Sequence, residues 1–100
     1  MEMVSGVATL RVKYPDRIPV LVHSKLALRR HKFLCPRQLT MHSLIEVVRR
    51  HADLRSTDAL FLIANGVIPM MRTTVEELDT QLCKDGDLLN VHVMKESVFG

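Results

Sequence analysis

Cysteine and histidine carry the most reactive side chains in this chain, but their spacing points to little chemistry. Cys35 and Cys83 do not form a CxxC pair and the five histidines contain no HExxH pattern, so we expect no metal site. A Cys35 thiol assisted by His31 could act as a nucleophile. A free cysteine that alternates within a strand more often behaves as a small buried hydrophobe, and we favour that interpretation. The sequence also lacks a glycine-rich phosphate loop, so we predict neither a catalytic residue nor a cofactor.

Two charged stretches could bind ions or acidic partners. Asp85 and Asp87 resemble two calcium ligands, but the other ligands of such a loop are missing, so a solvated turn is the better interpretation. The basic run at residues 29–32 could hold phosphate, although Phe33 is the only aromatic residue beside it. An acidic peptide therefore suits this run better, and we predict no nucleic-acid partner.

The length and composition describe one globular domain. The chain has 100 residues, of which 47% are apolar and 25% charged, with a formal net charge of +3. Its longest apolar run, residues 59–64, falls far short of the roughly 20 residues that a membrane-spanning helix needs. The first residues have neither the basic start nor the apolar core of a secretory signal. We therefore expect a cytoplasmic protein in a reducing compartment, which suits two unpaired cysteines.

Hydrophobic periodicity and turn signals predict a mixture of strands and helices. Apolar residues at helical spacing follow Thr40, which is a suitable N-cap. Residues 74–77 form a capping box that opens a second helix, and residues 65–66 mark a tight turn. Pro19 suggests an edge strand or the start of a strand. The predicted elements are strands at 18–22 and 33–36, a helix from 41 to about 52, a strand at 59–64 buried on both faces, a short strand at 67–69, a helix from 74 to about 83, and a strand at 88–94.

This order of elements predicts an α+β fold of the ubiquitin-like β-grasp type. A hairpin, a crossing helix and a last strand that can pair beside the first give a mixed sheet crossed by one main helix. We expect a ubiquitin-like domain at residues 14–94 and a flexible tail at residues 95–100. Residues 1–13 would form a short N-terminal arm, which we expect to be loose or partly ordered over residues 1–8 and a helical turn or strand over residues 9–13.

Four stretches of the chain, in order, resemble the GABARAP-type ubiquitin-like modifiers of autophagy. The resemblance covers residues 13–100 and identifies a divergent member of that family. Its N-terminal helical extension is reduced, because only 13 residues precede Tyr14, where the family usually has two helices. The stretches are KYPDRIPV at 13–20, KFLCP at 32–36, LRSTDALF at 54–61 together with NGVIP at 65–69, and ESVFG at 96–100.

The resemblance implies a modifier that is not an enzyme. Members of this family are joined through a C-terminal glycine to phosphatidylethanolamine on autophagosomal membranes, after activating-type and conjugating-type enzymes have carried the glycine as a thioester. Here the conjugated residue would be Gly100, with Phe99 just upstream, and a processing or deconjugating cysteine protease would act on the same tail. The protein would be cytoplasmic, and bound to the autophagosome membrane when lipidated. Two alternatives remain, namely conjugation to a protein lysine and a peptide-binding module that is not conjugated.

The resemblance also implies a groove for receptors that carry an aromatic-x-x-aliphatic motif, which adds as a strand beside the second strand of the sheet. Arg17 and residues 30–32 would face the acidic flanks of such motifs. Because side chains alternate along a strand, Phe33 and Cys35 should share one face and Leu34 should lie on the other. By position, the aromatic pocket would comprise Leu10, Pro19, Lys32, Leu34 and Leu88. The aliphatic pocket would comprise Phe33, Cys35, Pro36, Leu39, Leu44, Val47 and Val48.

Overall fold

Three helices and four strands make up the described part of the chain. The computed structural model describes residues 2–55, 57–83 and 86–96, and the backbone alone of residues 2–5. The elements are α1 (Glu2–Lys13), β1 (Arg17–His23), β2 (Lys32–Pro36), α2 (Met41–Arg50), β3 (Leu60–Ile63), α3 (Val75–Leu82) and β4 (Leu89–Lys95).

One mixed sheet with the strand order β2-β1-β4-β3 is the frame of the molecule. Its central strands, β1 and β4, are parallel, from Val20 beside Leu89 to His23 beside His92. The outer pairs, β1 with β2 and β3 with β4, are antiparallel. A parallel pair requires a crossover connection, which the segment containing α2 supplies. This arrangement confirms the predicted ubiquitin-like β-grasp.

The helix α2 crosses the sheet and forms the core with it. The Thr40 hydroxyl accepts a hydrogen bond from the Ser43 N–H at 3.2 Å, which confirms the predicted N-cap. The helix ends at Arg50, and Ala52, expected to continue its apolar stripe, instead forms a bridge with Leu28. The buried face of the helix packs with the apolar side chains of β1 and β4 in one core. That face comprises Met41, Leu44, Ile45 and Val48.

The helix α3 begins as its sequence predicts. The Thr74 hydroxyl accepts a hydrogen bond from the Glu77 N–H at 3.2 Å, as in a capping box. The helix then buries Val75 and Leu78, and it also buries Asp79, whose partner lies in α1. A carboxylate in such a position requires a cationic partner, because an isolated charge is costly to remove from water.

The helix α1 is the main difference from the expected fold. Residues 1–8 were expected to be loose or partly ordered, but the chain is helical from Glu2, and residues 9–13 continue the same helix. The inward face of this helix is not a purely apolar stripe of the kind that predicts a helix. Among its described side chains only Val7, Leu10 and Arg11 are partly buried, and one of these three is charged. The helix ends just before Tyr14-Pro15, as expected from the restriction that a proline places on the preceding residue.

Two strands differ from their predicted positions. β1 is central, so of the two interpretations of Pro19 an edge strand is wrong. Pro19 instead lies near the start of the strand, before Val20, where pairing with β4 begins. β3 is not buried on both faces, because Phe61 and Ile63 are only half-buried. These two side chains share the outer face of the sheet, opposite α2, with exposed residues of β4.

The turn after β3 has the predicted geometry, but the strand expected after this turn is reduced to a single bridge. Asn65 and Gly66 have φ angles of 53° and 78°, a left-handed pair that suits a tight hairpin turn. Ala64 and Val67 exchange two backbone hydrogen bonds of 2.9 and 3.1 Å. The strand expected at 67–69 is limited to this bridge, and Ile68 is exposed.

The last strand takes in the first residues of the predicted tail. Lys95 pairs with Leu60, and the Glu96 N–H donates to the Ala59 carbonyl at 2.8 Å. Residues 97–100, including Phe99 and Gly100, lie outside the described residues, as does Asp85 of the predicted turn.

Candidate functional site

The strand β2 lies at an edge of the sheet. In the described sheet it pairs only with β1, from Arg17 beside Pro36 to Leu21 beside Lys32, so its other edge is open. An open edge presents a row of backbone N–H and C=O groups to which an extended peptide can add as a further strand.

The side chains of β2 alternate between the core and the outer face. Phe33 and Cys35 are buried, whereas Leu34 between them is half-buried and Lys32 is exposed. This pattern confirms the alternation expected from the sequence. The outer face of β2 is therefore the one that a ligand can reach without disturbing the core.

Four apolar residues expected in the aromatic pocket lie on the outer face of the sheet or on α1, the helix that contacts β1. Leu34 lies opposite Pro19. Leu88 precedes Leu89, the partner of Val20, and so it lies beside Pro19 on the other side. Leu34 and Leu88 are half-buried, and so is Leu10 of α1, which packs against β1. Pro19 is buried although it faces away from the core, which is consistent with cover from α1. We call Leu10, Pro19, Leu34 and Leu88 the apolar row.

The expected aliphatic pocket is divided between the core and the surface. Leu44 and Val48 are 0% exposed, so they do not form part of an open pocket wall in this structure. The reason is that the apolar stripe of α2 faces the sheet and is used entirely in the core. Phe33 and Cys35 belong to the same core, at 8% and 3% exposure. The members that retain exposed surface are Pro36, Leu39 and Val47.

Cationic side chains border this edge of the sheet. Arg17 and Lys32 are exposed, and in the described part of the chain neither has a carboxylate within 4 Å. The Arg30 guanidinium lies 5.3 Å from the centre of the Phe33 ring, and its Nε donates to the Lys32 carbonyl at 2.8 Å. Arg29 differs from these residues because it pairs with Asp53 at 3.2 Å. We call Arg17, Arg30 and Lys32 the rim. Their positive charges favour an acidic ligand.

The arrangement around Cys35 does not form a nucleophile with its base. Burial raises the pKa of the Cys35 thiol to about 11, against the weaker opposing effects of Arg17 and Arg30. Nδ1 of His31 lies 3.3 Å from the Val22 carbonyl oxygen and is used there. The described residues also contain no group of three or more His, Cys, Asp or Glu side chains positioned to hold a metal ion.

Two features of the structure were not predicted from the sequence. Arg11 and Asp79 join α1 to α3 by a bidentate ion pair, although the two residues are 68 positions apart in the sequence. The rings of His23 and His92 are stacked at 4.8 Å beside a cavity of about 510 Å³, which no groove residue lines. Neither has a local sequence signal, because each depends on strands or helices that meet only in the fold.

The fold and the open edge of β2 define a ubiquitin-like protein. A family model described as "Autophagy protein Atg8 ubiquitin like" matches residues 2–100. The chain therefore belongs to the Atg8 family of ubiquitin-like autophagy modifiers, which confirms the resemblance found in its motifs. The crystal structure of ATG8 from Trypanosoma brucei is similar, with a TM-score of 0.84 and 27% identity, covering 96% of this chain and 87% of that chain. No helix in the described residues is both long enough and apolar enough to cross a bilayer.

Proposed function

We propose that this autophagy modifier is conjugated through Gly100 to phosphatidylethanolamine on autophagosomal membranes, and that it recruits receptors through a groove along β2. Family membership supports the first part. The observation that carries the second part is the open edge of β2 beside the half-buried apolar row. In both roles the protein would be bound and transferred by other proteins and would catalyse nothing itself.

Conjugation would proceed by successive transfers of the Gly100 acyl group, to AMP, to two enzyme cysteines in turn, and finally to the lipid amine. An activating-type enzyme would join the Gly100 carboxylate to the AMP part of ATP with release of pyrophosphate, and its cysteine thiolate would then displace AMP to form a thioester. After transfer to the cysteine of a conjugating-type enzyme, the lipid amine would attack the thioester, form an amide and release the thiolate. Glycine suits this step because it has no side chain to obstruct a narrow active site. A cysteine protease would process or deconjugate the same tail.

The length of the tail is compatible with such an active site. Glu96 is the last described residue, and its N–H is bonded to the Ala59 carbonyl. Four extended residues beyond it would reach about 14 Å, at roughly 3.3–3.6 Å per residue. The folded domain could therefore stay outside the active site while Gly100 enters.

Peptide binding would use the edge of β2 and both sides of it. The peptide backbone would pair with Lys32–Pro36, its aromatic anchor would enter beside Leu34, and its aliphatic anchor would lie against Leu39 and Val47. Acidic residues before the motif would meet Arg17 and Lys32. Strand addition supplies affinity through main-chain hydrogen bonds, and the two anchors supply specificity.

Intact-mass measurement tests the conjugation. The chain is incubated with the activating-type and conjugating-type enzymes, ATP and vesicles that contain phosphatidylethanolamine, and a chain lacking Gly100 serves as the control. We expect a mass increase of one lipid for the full chain alone. A protein adduct on lysine, or no adduct while the enzymes conjugate another family member, would refute lipid conjugation.

Calorimetric titration tests the groove. A peptide with an acidic flank and an aromatic-x-x-aliphatic motif is compared with the same peptide carrying alanine at both anchors. We expect saturable binding of the first peptide alone. Equal heats from both peptides, or none from either, would refute the groove.

A further inference from the structure

An arginine of α1 ties this helix to α3. Nη1 and Nη2 of Arg11 donate to the two carboxylate oxygens of Asp79 at 3.1 and 2.7 Å, and Nη2 also donates to the Asp87 carbonyl. The parallel pairing of two N–H groups with two carboxylate oxygens is the strongest geometry for such a pair. Asp79 is only 9% exposed and the Arg11 side chain 19%, so this contact is partly shielded from solvent. We call the Arg11–Asp79 pair the clamp.

Among the described side chains of α1, apolar contact with the rest of the protein is limited. Of its described side chains, only Val7 and Leu10 are both apolar and partly buried, whereas Val12 is 81% exposed. The clamp also leaves Nε of Arg11 buried without a hydrogen-bond partner in the described residues, which disfavours the docked helix. In the described part of α1, two half-buried apolar side chains and one strong ion pair therefore hold the helix to the body of the protein.

The same helix carries one wall of the proposed groove. Leu10 directly precedes Arg11 and is the only member of the apolar row that does not belong to the sheet or its connections. When α1 leaves the sheet, Leu10 leaves with it and β1 loses its contact with the helix. The position of Leu10 thus depends on the clamp. Its acidic member, Asp79, belongs to a different helix, α3, which lies outside the groove.

We propose that Arg11 and Asp79 are positioning residues for peptide binding, which hold α1 docked so that Leu10 completes the aromatic side of the groove. This inference rests on the proposed function of the groove. Because only the docked form binds well, the apparent dissociation constant rises as the docked fraction falls. By linkage, a bound peptide must favour docking by the same factor by which docking favours the peptide.

The test combines peptide affinity with amide hydrogen exchange in α1. Asp79→Asn removes the charge with little change of shape, and Arg11→Lys keeps the charge but loses the two-pronged geometry. Asp58→Asn is the matched control, because Asp58 also pairs with a cation, Lys95 at 3.5 Å, but lies away from α1 and the groove. The exchange probe is the α1 amides together with the Tyr14 N–H, which donates to Leu10 at 2.9 Å.

For Asp79→Asn we expect faster exchange in α1, unchanged protection in the sheet and about fivefold weaker peptide binding, which corresponds to a docked fraction of roughly one fifth. Saturating peptide should restore slow exchange in α1. Arg11→Lys should fall between this variant and the unchanged chain, and Asp58→Asn should bind as the unchanged chain does.

Two outcomes separate the inference from the function on which it rests. If the unchanged chain binds no motif peptide, the proposed groove fails. If the unchanged chain binds and Asp79→Asn binds equally well, the inference fails while the groove stands, whether or not α1 exchanges faster.

Discussion

Of two leucine-to-alanine substitutions in the expected groove, one should act mainly on stability and the other mainly on peptide binding. Leu34 is half-buried on the outer face of β2, whereas Leu44 is 0% exposed in the core under the sheet. The chemistry of the change is identical at the two positions, so each substitution is the control for the other.

The burial of each side chain sets the expected magnitude. Truncating a fully buried leucine costs about 2–5 kcal/mol, so Leu44→Ala should lower the melting temperature by more than roughly 10 °C in a domain of this size. Complete burial of a leucine side chain contributes about 1.5–3 kcal/mol, and half of that burial gives about 1 kcal/mol for Leu34→Ala, or roughly 4–8 °C. In contrast, Leu34→Ala should weaken motif-peptide binding at least about tenfold, or ~1.4 kcal/mol, because anchor pockets carry most of the binding energy.

Thermal melts give the change in melting temperature. Calorimetric titrations, at a temperature where both variants are folded, give the change in peptide affinity. The affinity of Leu44→Ala should stay within about twofold of the unchanged chain. A large loss of stability with unchanged affinity for Leu34→Ala would place Leu34 in the core and the groove elsewhere. A loss of affinity for Leu44→Ala equal to that for Leu34→Ala would show that the groove opens into the core.

Three further predictions concern charge and reactivity. The pair of substitutions Arg17→Glu and Lys32→Glu should weaken binding of acid-flanked peptides most at low salt, because rim charges act chiefly on association, and an unchanged salt dependence would contradict the placement of the rim. Cys35, whose thiol pKa burial raises to about 11, should resist alkylation at pH 8 in the folded protein and react once the protein is unfolded, as read by intact mass; rapid reaction in the folded protein would show that the site opens. The Arg55 N–H bonded to Asp58 holds the pKa of that carboxyl below its ordinary value of 3.8, so the ionised group stabilises the fold above that pH and this contribution is lost as the pH falls through the lower folded value. Asp58→Asn should therefore lower the melting temperature at pH 7 and make little difference near pH 2, and an equal difference at both pH values would mean that the charge plays no part.

The helices whose determinants are local could be predicted from the sequence. Thr40 and Thr74 cap α2 and α3 through bonds to residues three positions further along the chain, and such bonds can be read within one turn. The turn at residues 65–66 is equally local. The sheet order followed from these elements, because few topologies allow a hairpin, a crossing helix and a last strand beside the first.

The features that depend on distant partners could not be predicted. α1 has an arginine on its inward face, and only the fold brings that arginine to Asp79 on another helix. The division of the expected aliphatic pocket between the core and the surface could not be predicted for a related reason. The spacing of Leu44 and Val48 is the same whether the apolar stripe of α2 faces a core or a pocket, and only the packing of the sheet decides between them. Alternation along β2 did separate Leu34 from its neighbours, because a strand has just two faces.

The parallel pairing of β1 with β4 has a mechanical consequence. α1 leads into the start of β1, and the chain leaves β4 at its end, so a force applied between the two ends of the protein pulls these strands in opposite directions along their axes. The hydrogen bonds that join them are then sheared together and cannot open one after another. When the domain is held at its last residue and pulled at its first, the paired strands β1 and β4 should therefore resist extension. The helix α1 should detach at a lower force than the one that separates the sheet.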